Sequence, residues 1–432
     1  MINNLRNYFN KKILLKILFY IYPLIMLMPS GYITAYVTFL TIYSFNFFYE
    51  NKIKINFFFL DYLIFAILLL SMLSTMLNVE KLGYFLLFKS ILDIRFGLLY
   101  LIIRNLFYHK IINFIPIIII SCISTLFLSF DIFIQHIYGQ DLFGYKPWFD
   151  RYAGIFNDEA IAGSYIQKFA FISVPIILLV KKLKLLNIIL ITLIINILGL
   201  GILMSTDRVP FIIYLVGITI LIIICKKFKI LYLINLLLIL TLFLVIFQNN
   251  SIINKRYQFI NSVKSTVLNY QKQISNSFNL QKNNKPGFIN ANNSIFKDDY
   301  FKIFYSGYEV WKINPIIGTG VKSFNLSCIE AYKTNHKLLC APHAHNIYLE
   351  ILINTGIIGA LIFVVYIFYF LKDFKNILIN KNNSIYLYLL IIFICELLPF
   401  RSYGSIFQTV NGSIFWYLLA LTSTINFTNK IE

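Results

Sequence analysis

The sequence predicts an all-α polytopic membrane protein of about twelve transmembrane helices, with a large, partly helical outer loop between helices nine and ten. Composition is the first reason. Of 432 residues, 59% are apolar and only 13% charged, with a mean hydropathy of +0.75. A soluble domain carries about 45–50% apolar and about 25% charged residues, so a water-soluble globule is excluded. Windows of the right length are the second, because a bilayer core takes roughly 20 apolar residues at 1.5 Å rise each. The third is the side on which Lys and Arg fall.

The windows lie near 12–29, 31–49, 58–77, 84–103, 112–130, 161–180, 187–204, 209–225, 230–247, 346–371, 384–400 and 408–426. Arg6, Lys11 and Lys12 precede the first, and no small-residue cleavage site follows it, so it reads as a retained anchor. With the N-terminus inside, the inner loops hold Lys52 and Lys54, Arg104 and Lys110, Lys181, Lys182 and Lys184, Lys226, Lys227 and Lys229, and Lys372, Lys375 and Lys381. The short outer turns hold Pro29 to Gly31, Lys81, Asp207 with Arg208, and Arg401. The positive-inside rule then places both termini in the cytoplasm.

Two segments are too long to be turns and lie outside, 131–160 and roughly 248–345. The chain therefore divides into 1–247 with helices one to nine, the loop 248–345, and 346–432 with helices ten to twelve. The loop is rich in Asn, Lys and Ser through 249–294, and a loop of that length crosses regardless of charge. Its first half reads as flexible. From Asp298 onward, the spacing of Tyr300, Phe304, Tyr308 and Trp311 predicts one or two short helices against the outer membrane face.

Lys and Arg number 38 against 18 Asp and Glu, a formal net charge of +20 that suits anionic lipid surfaces or phosphorylated substrates better than nucleic acid. The five cysteines form no CxxC pair and no Cys/His cluster, so no zinc site is expected. In an oxidising outer compartment Cys328 and Cys340 can close a loop just before His345; two free thiols is the other reading. Asp298-Asp299 reads as a solvated helix start, and no metal is expected.

Polar groups inside a bilayer cost a few kcal/mol each, which directs attention to the outer ends of the spans. Pro342-His343-Ala344-His345-Asn346 runs into span ten and is followed by Gly356 and Gly359. His345 falls at the helix start, where Asn346 can cap and the positive end of the dipole disfavours imidazolium. A neutral imidazole there serves as a general base or is an interfacial side chain without chemistry. His343 is not placed equivalently. Gly356 and Gly359 permit close helix packing.

In Ser205-Thr206-Asp207-Arg208, Arg208 heads a helix, as a phosphate clamp or as an anchor to lipid head groups. Arg151-Tyr152-Ala153-Gly154, followed by Asn157, Asp158 and Glu159, either shapes a pocket or caps span six. Trp311 to Gly320, with Asn314-Pro315 and Gly318-Thr319-Gly320, is a turn whose glycines let backbone N–H groups approach an anion. Lys89, Asp93 and Arg95 read as an ion-pair set facing the bundle interior.

In this order the pieces resemble the O-antigen ligase and O-antigen polymerase superfamily of bacterial inner-membrane glycosyltransferases. That signature is a His followed by Asn, Ser or Gln, about nine residues, then Gly-x-x-Gly; here His345-Asn346, nine residues and Gly356-Ile357-Ile358-Gly359 match it. Arg151-Tyr152-Ala153-Gly154 and Asn314-Pro315-Ile316-Ile317-Gly318-Thr319-Gly320 are similar to further strings of the family. Twelve spans with the big loop between nine and ten is the ligase layout. Many members carry Glu two positions before the first motif glycine, where this chain has Asn354. Relatives often carry an Arg well before the Trp/Pro-Gly string, where the nearest positions here are Tyr300 and Lys302.

The resemblance implies an enzyme with its active site on the periplasmic face. It implies inverting, metal-independent transfer of a glycan from undecaprenyl diphosphate to an acceptor hydroxyl. His345 would be the base, and Arg208, with Arg151 or Lys302, would neutralise the leaving diphosphate; Asn346, Pro315, Gly318, Gly320, Gly356 and Gly359 would support them. No cofactor is implied. Span count favours ligation to lipid A core over polymerisation of a lipid-linked repeat unit. A lipid-linked glycan flippase, the reading from another class, expects internal symmetry and broken mid-bilayer helices that the sequence does not display.

Overall fold

A computed structural model describes residues 2–179, 184–257, 299–333, 335–336, 338–380, 385–399 and 401–424. Residues 258–298, which hold most of the loop half read as flexible, fall outside these residues, as do Lys181, Lys182 and Lys381; the start of that half, Ser251–Tyr257, is helical.

Where a backbone has no water to bond to, each N–H must find a carbonyl in its own segment, and a helix does this for every residue. The described residues are accordingly helical, with no strand and one isolated bridge, Trp148 to Arg151. The helices are α1 Ile2–Tyr20, α2 Ser30–Glu50, α3 Phe59–Leu77, α4 Tyr84–Leu92, α5 Ile94–Tyr108, α6 Phe114–Tyr138, α7 Ala162–Ser173, α8 Leu185–Met204, α9 Arg208–Ile224 and α10 Lys229–Asn249. They continue with α11 Ser251–Tyr257, α12 Asp299–Trp311, α13 Phe324–Tyr332, α14 Ile347–Asn380, α15 Ile385–Glu396 and α16 Thr409–Ser423. Short turns at Tyr22–Ile25 and Val79–Leu82 join the first ones, and α7 runs on as a 3-10 stretch, Val174–Leu179.

Six stretches among the described residues are long and apolar enough to cross a membrane: Phe59–Leu77, Phe114–Tyr138, Ala162–Leu179, Leu185–Met204, Lys226–Asn249 and Ile347–Lys372. Arg208–Ile224 and Ile385–Glu396 are apolar but shorter. The chain is an integral, polytopic, all-α membrane protein. The predicted window 84–103 is not one helix: it divides at Asp93, which ends α4 and precedes α5. Composition alone cannot separate a span from a shorter helix buried on all sides, because both are apolar all round.

The bundle is built by α14 against α3, α6 against both α7 and α8, and α5 against α16. Polar side chains inside it are joined in pairs across helices. Asp61 and Arg104 form a fully buried ion pair, with the guanidinium over the Phe58 and Tyr100 rings at 5.0 and 5.4 Å. Asn196 Nδ2 donates to Asn235 Oδ1 at 2.7 Å, and the Tyr232 and Tyr388 hydroxyls meet at 2.7 Å. Such pairing is what apolar surroundings demand of a polar group. Lys89, Asp93 and Arg95 do not close into the expected ion-pair set. Lys89 lies 4.1 Å over the Phe85 ring, Arg95 lies 4.9 Å over Phe96, and Asp93 Oδ2 is buried without a hydrogen-bond partner.

The two glycine strings of the sequence interlock. At Gly356 the backbone leaves helical geometry, φ 63° and ψ −166°, and α14 kinks. The turn Asn314–Gly320 fits into the break: Ile357 N–H donates to Pro315 O at 2.9 Å, and Thr319 N–H donates to Ile353 O at 2.7 Å. Gly318 N–H bonds Asn314 O at 2.9 Å, and Trp311 Nε1 reaches Pro315 O at 3.1 Å. The amides expected to approach an anion at Gly318 and Thr319 therefore already have carbonyl partners. A Cβ on Gly318 would meet Gly356 N at 2.6 Å, and one on Gly356 would land on the Ile316 carbonyl.

Gly356→Ala is therefore expected to cut the folded, monodisperse fraction severely. Gly31→Ala, at a site with nothing within 4 Å of the new methyl, is expected to be neutral. Fluorescence-detected size exclusion of detergent extracts compares the two.

Candidate functional site

His345 sits where the loop turns into α14. Its φ of 53° is unusual for a residue with a Cβ and costs of the order of 1 kcal/mol, so the conformation needs outside support. Tyr403 N–H donates to the His345 carbonyl at 2.8 Å. The next residue caps the helix: Asn346 Oδ1 accepts from Tyr348 and Leu349 N–H at 3.0 and 3.1 Å, while its Nδ2 donates to Pro399 O at 2.6 Å. The segment linking α15 and α16 thus holds the histidine in place. The disulfide Cys328–Cys340, Cα atoms 5.5 Å apart, closes the loop just before it.

A cavity of about 720 Å³ opens beside His345, and its walls come from widely separated parts of the chain. Arg151, Arg208, Arg256 and Arg401 all line it, with His343, Glu159, Asp207 and Gln408. Arg151 comes from the segment before α7, where it faces Trp148 across the isolated bridge. That segment is clipped by Thr206 Oγ1 on Asp150 O at 2.9 Å and Lys255 Nζ on Asp150 Oδ2 at 3.1 Å. Arg256 also donates to Phe149 O. Arg208 opens α9, within electrostatic reach of Arg256.

Arg401 is held differently. Its guanidinium donates to Glu396 Oε1, Cys395 O and Gln167 Oε1, each at 2.8 Å, and lies 4.7 Å from the Tyr403 ring. A guanidinium whose donors are engaged behind the wall presents charge to the cavity with a fixed orientation.

The sequence singled out Arg151, Arg208 and His345, and the structure brings these three to one cavity. It does not bring Lys302, which is exposed on α12 and lines no cavity described here. Arg256 and Arg401 stand in the wall instead and were missed as site residues. A lone cation in an otherwise uncharged outer turn was a usable signal for Arg401; Arg256, among the many Lys of the loop, had none.

Residues 169–364 match the O-antigen ligase family. The match supports the likeness of this stretch to the O-antigen ligase and polymerase superfamily. No curated protein sequence matches the chain. The ligase-family stretch contains Arg208, Arg256, the disulfide, His345 and the interlocked glycines, whereas Arg151 and Arg401 reach the cavity from its two flanks.

The environment sets the charge states. Burial lowers the His345 imidazole below its ordinary 6.5. His343, its ring centroid 4.0 Å away, is lowered to about 4 by burial and by His345. Both rings are therefore neutral near pH 7. Burial pushes the Asp207 carboxyl up to about 6, against the pull of Arg151. Burial and the neighbouring Arg151 lower Arg256. Among the described residues no three His, Cys, Asp or Glu side chains stand together as metal ligands.

A histidine lowered in the folded state binds fewer protons there than when unfolded, so acidification below about pH 6.5 destabilises the protein through it. Asp207, raised, acts in the opposite sense between about 4 and 6. The thermal midpoint of His343→Gln is therefore expected to fall less than the parent's when pH drops from 7 to 5, as read by dye-monitored melting in detergent.

Proposed function

We propose that this protein transfers a glycan from undecaprenyl diphosphate to an acceptor hydroxyl at the periplasmic face of the bacterial inner membrane, as an O-antigen ligase acting on lipid A core. Twelve spans with both termini cytoplasmic belong to the same reading. The single observation that carries it is the cavity in which a neutral imidazole faces a wall of arginines whose residues lie far apart in sequence.

In the proposed reaction the donor's diphosphate lies against Arg208 and Arg151, with Arg256 beside them, and the lipid runs between helices. His345 takes the proton of the acceptor hydroxyl. The oxygen so freed bonds to the anomeric carbon while the carbon–oxygen bond to the diphosphate breaks, its electron pair leaving with the diphosphate. Attack in line from the opposite face inverts the anomeric centre. The arginines stabilise the charge that grows on the leaving group in a region short of water, where each contact is stronger than in bulk solvent. The proton stays on His345 until released to solvent.

His345→Ala is expected to lower the rate of transfer about 10²–10⁴-fold while leaving membrane expression intact, the range a lost general base produces. Transfer of a radiolabelled lipid-linked glycan in proteoliposomes measures it; a normal rate would remove the imidazole from the chemistry. Arg208→Lys is expected to lose roughly tenfold or more although charge is kept, since an ammonium cannot make the two-pronged contact. A variant as active as the parent would make Arg208 an anchor. Deleting the gene and resolving lipopolysaccharide on a gel separates the acceptors: bare core indicates a ligase, and core bearing one repeat a polymerase.

A further inference from the structure

A second chamber, of about 270 Å³, adjoins the first, with His343 and Gln408 lining both. Its volume is about nine water molecules' share of the liquid, the scale of one substituted sugar and not of a glycan chain.

Lys89 from α4 and Lys322 from the turn before α13 both line it. Lys322 is half-buried, and burial together with Lys89 and Arg95 nearby holds its ammonium below the usual lysine range, against the pull of Asp93 and Glu350. Glu350 also faces the chamber, but its oxygens accept from Ser405 Oγ and from Ile406 N–H, the latter at 3.0 Å. Its charge is thus partly taken up by the wall.

The amide of Asn354 completes the lining. The residue is 2% exposed, yet its Nδ2 is buried with no hydrogen-bond partner. A buried unsatisfied donor has lost its water without a replacement, and an acceptor arriving in the chamber would relieve that cost. The ring nitrogens of His343 are likewise buried, with a Tyr403 backbone group beside the ring. Two ammonium groups, offset in part by Asp93 and Glu350, and an unsatisfied amide donor around a small space call for an anion or a group rich in oxygen. In-line attack also requires the acceptor to approach from the side away from the leaving diphosphate.

We propose that this second chamber is a subsite for an anionic substituent, a phosphate or a carboxylate, on the sugar that accepts the glycan. Lys89, Lys322 and Asn354 grip that substituent, and His343 forms the partition between it and the diphosphate cavity. Asn354 decides the sign of the selection, because Glu at that place would cancel one of the two ammonium charges. The inference rests on the glycosyl-transfer reading above.

The test uses the full chain in nanodiscs, with an undecaprenyl-diphosphate-linked repeat unit as donor. The acceptor is whichever the parent protein uses, rough lipopolysaccharide or a second lipid-linked unit, offered intact, dephosphorylated with hydrofluoric acid, or carboxyl-reduced. Removing the recognised group from the acceptor is expected to raise the parent's acceptor KM about tenfold, and the treatment that does so identifies phosphate or carboxylate. Asn354→Glu and Lys322→Gln are expected to raise the KM for intact acceptor by a similar factor, with donor KM unchanged and no further loss on the treated acceptor; Lys322→Arg is expected to restore it. A parent protein indifferent to both treatments overturns the proposal, whether or not the variants fold. So does a rise in donor KM alone, which would assign the chamber to the donor. A parent protein that transfers to no acceptor removes the glycosyl-transfer reading and this subsite with it, whereas transfer with unchanged acceptor KM in the variants removes only the subsite.

Discussion

A backbone can press into a helix only where the helix gives up a turn and a side chain, and Gly356 gives up both. With φ at 63° the residue breaks α14 and leaves the space of a methyl to the Ile316 carbonyl. The turn from Asn314 to Gly320 takes the freed hydrogen-bonding groups: Ile357 N–H goes to Pro315, and Ile353 O receives Thr319. This ties the large loop to the membrane bundle through main-chain contacts. Because α14 begins at Ile347, the same joint fixes the direction from which His345 approaches the cavity.

Around that joint the electrostatics are arranged in two tiers. Arg401 is anchored from behind by Glu396 and Gln167. Arg151 and Arg256 ride on clipped segments of the wall, linked through Asp150 and Phe149 to their neighbours. Like charges placed close together repel, and a fold holds them only by attaching each to something else. Arg401 is already paired with Glu396, and the carboxylates that share the wall, Asp207 and Glu159, are fewer than the three guanidinium groups that remain. What remains is a concave surface with surplus positive charge next to two uncharged imidazoles, and such a surface favours a dianionic ligand over a neutral one.

Much of this was legible from residue order alone. Helices follow from apolar runs, and most windows have a helix where one was expected, since a segment without water has no other regular solution. The capping role of Asn346 followed from its place before an apolar run, and its amide oxygen does accept two backbone N–H groups. The division at Asp93 had a signal in the three charges Lys89, Asp93 and Arg95, but the same charges fit an ion-pair set inside one span. The glycine turn was misread as an anion cradle, since φ values and glycine content are alike in a cradle and in a joint; only the partner decides, and here it lies 38 residues downstream, from Gly318 to Gly356. Arg401 was visible as an isolated cation, but nothing local shows that Gln167, 234 residues earlier, receives it.

The segment between α15 and α16 fastens the roof of the cavity: Pro399 receives Asn346, Tyr403 bonds the His345 carbonyl, and Ser405 and Ile406 engage Glu350. Assembly order follows from this. During synthesis a nascent chain that has emerged only as far as α14 possesses Arg151, Arg208, Arg256 and His345 but neither Arg401 nor the Tyr403 N–H that holds the histidine carbonyl in its left-handed turn. The cavity wall is therefore completed only once residues 401–411 are made, because Arg401, Gln408 and the start of α16 all line it.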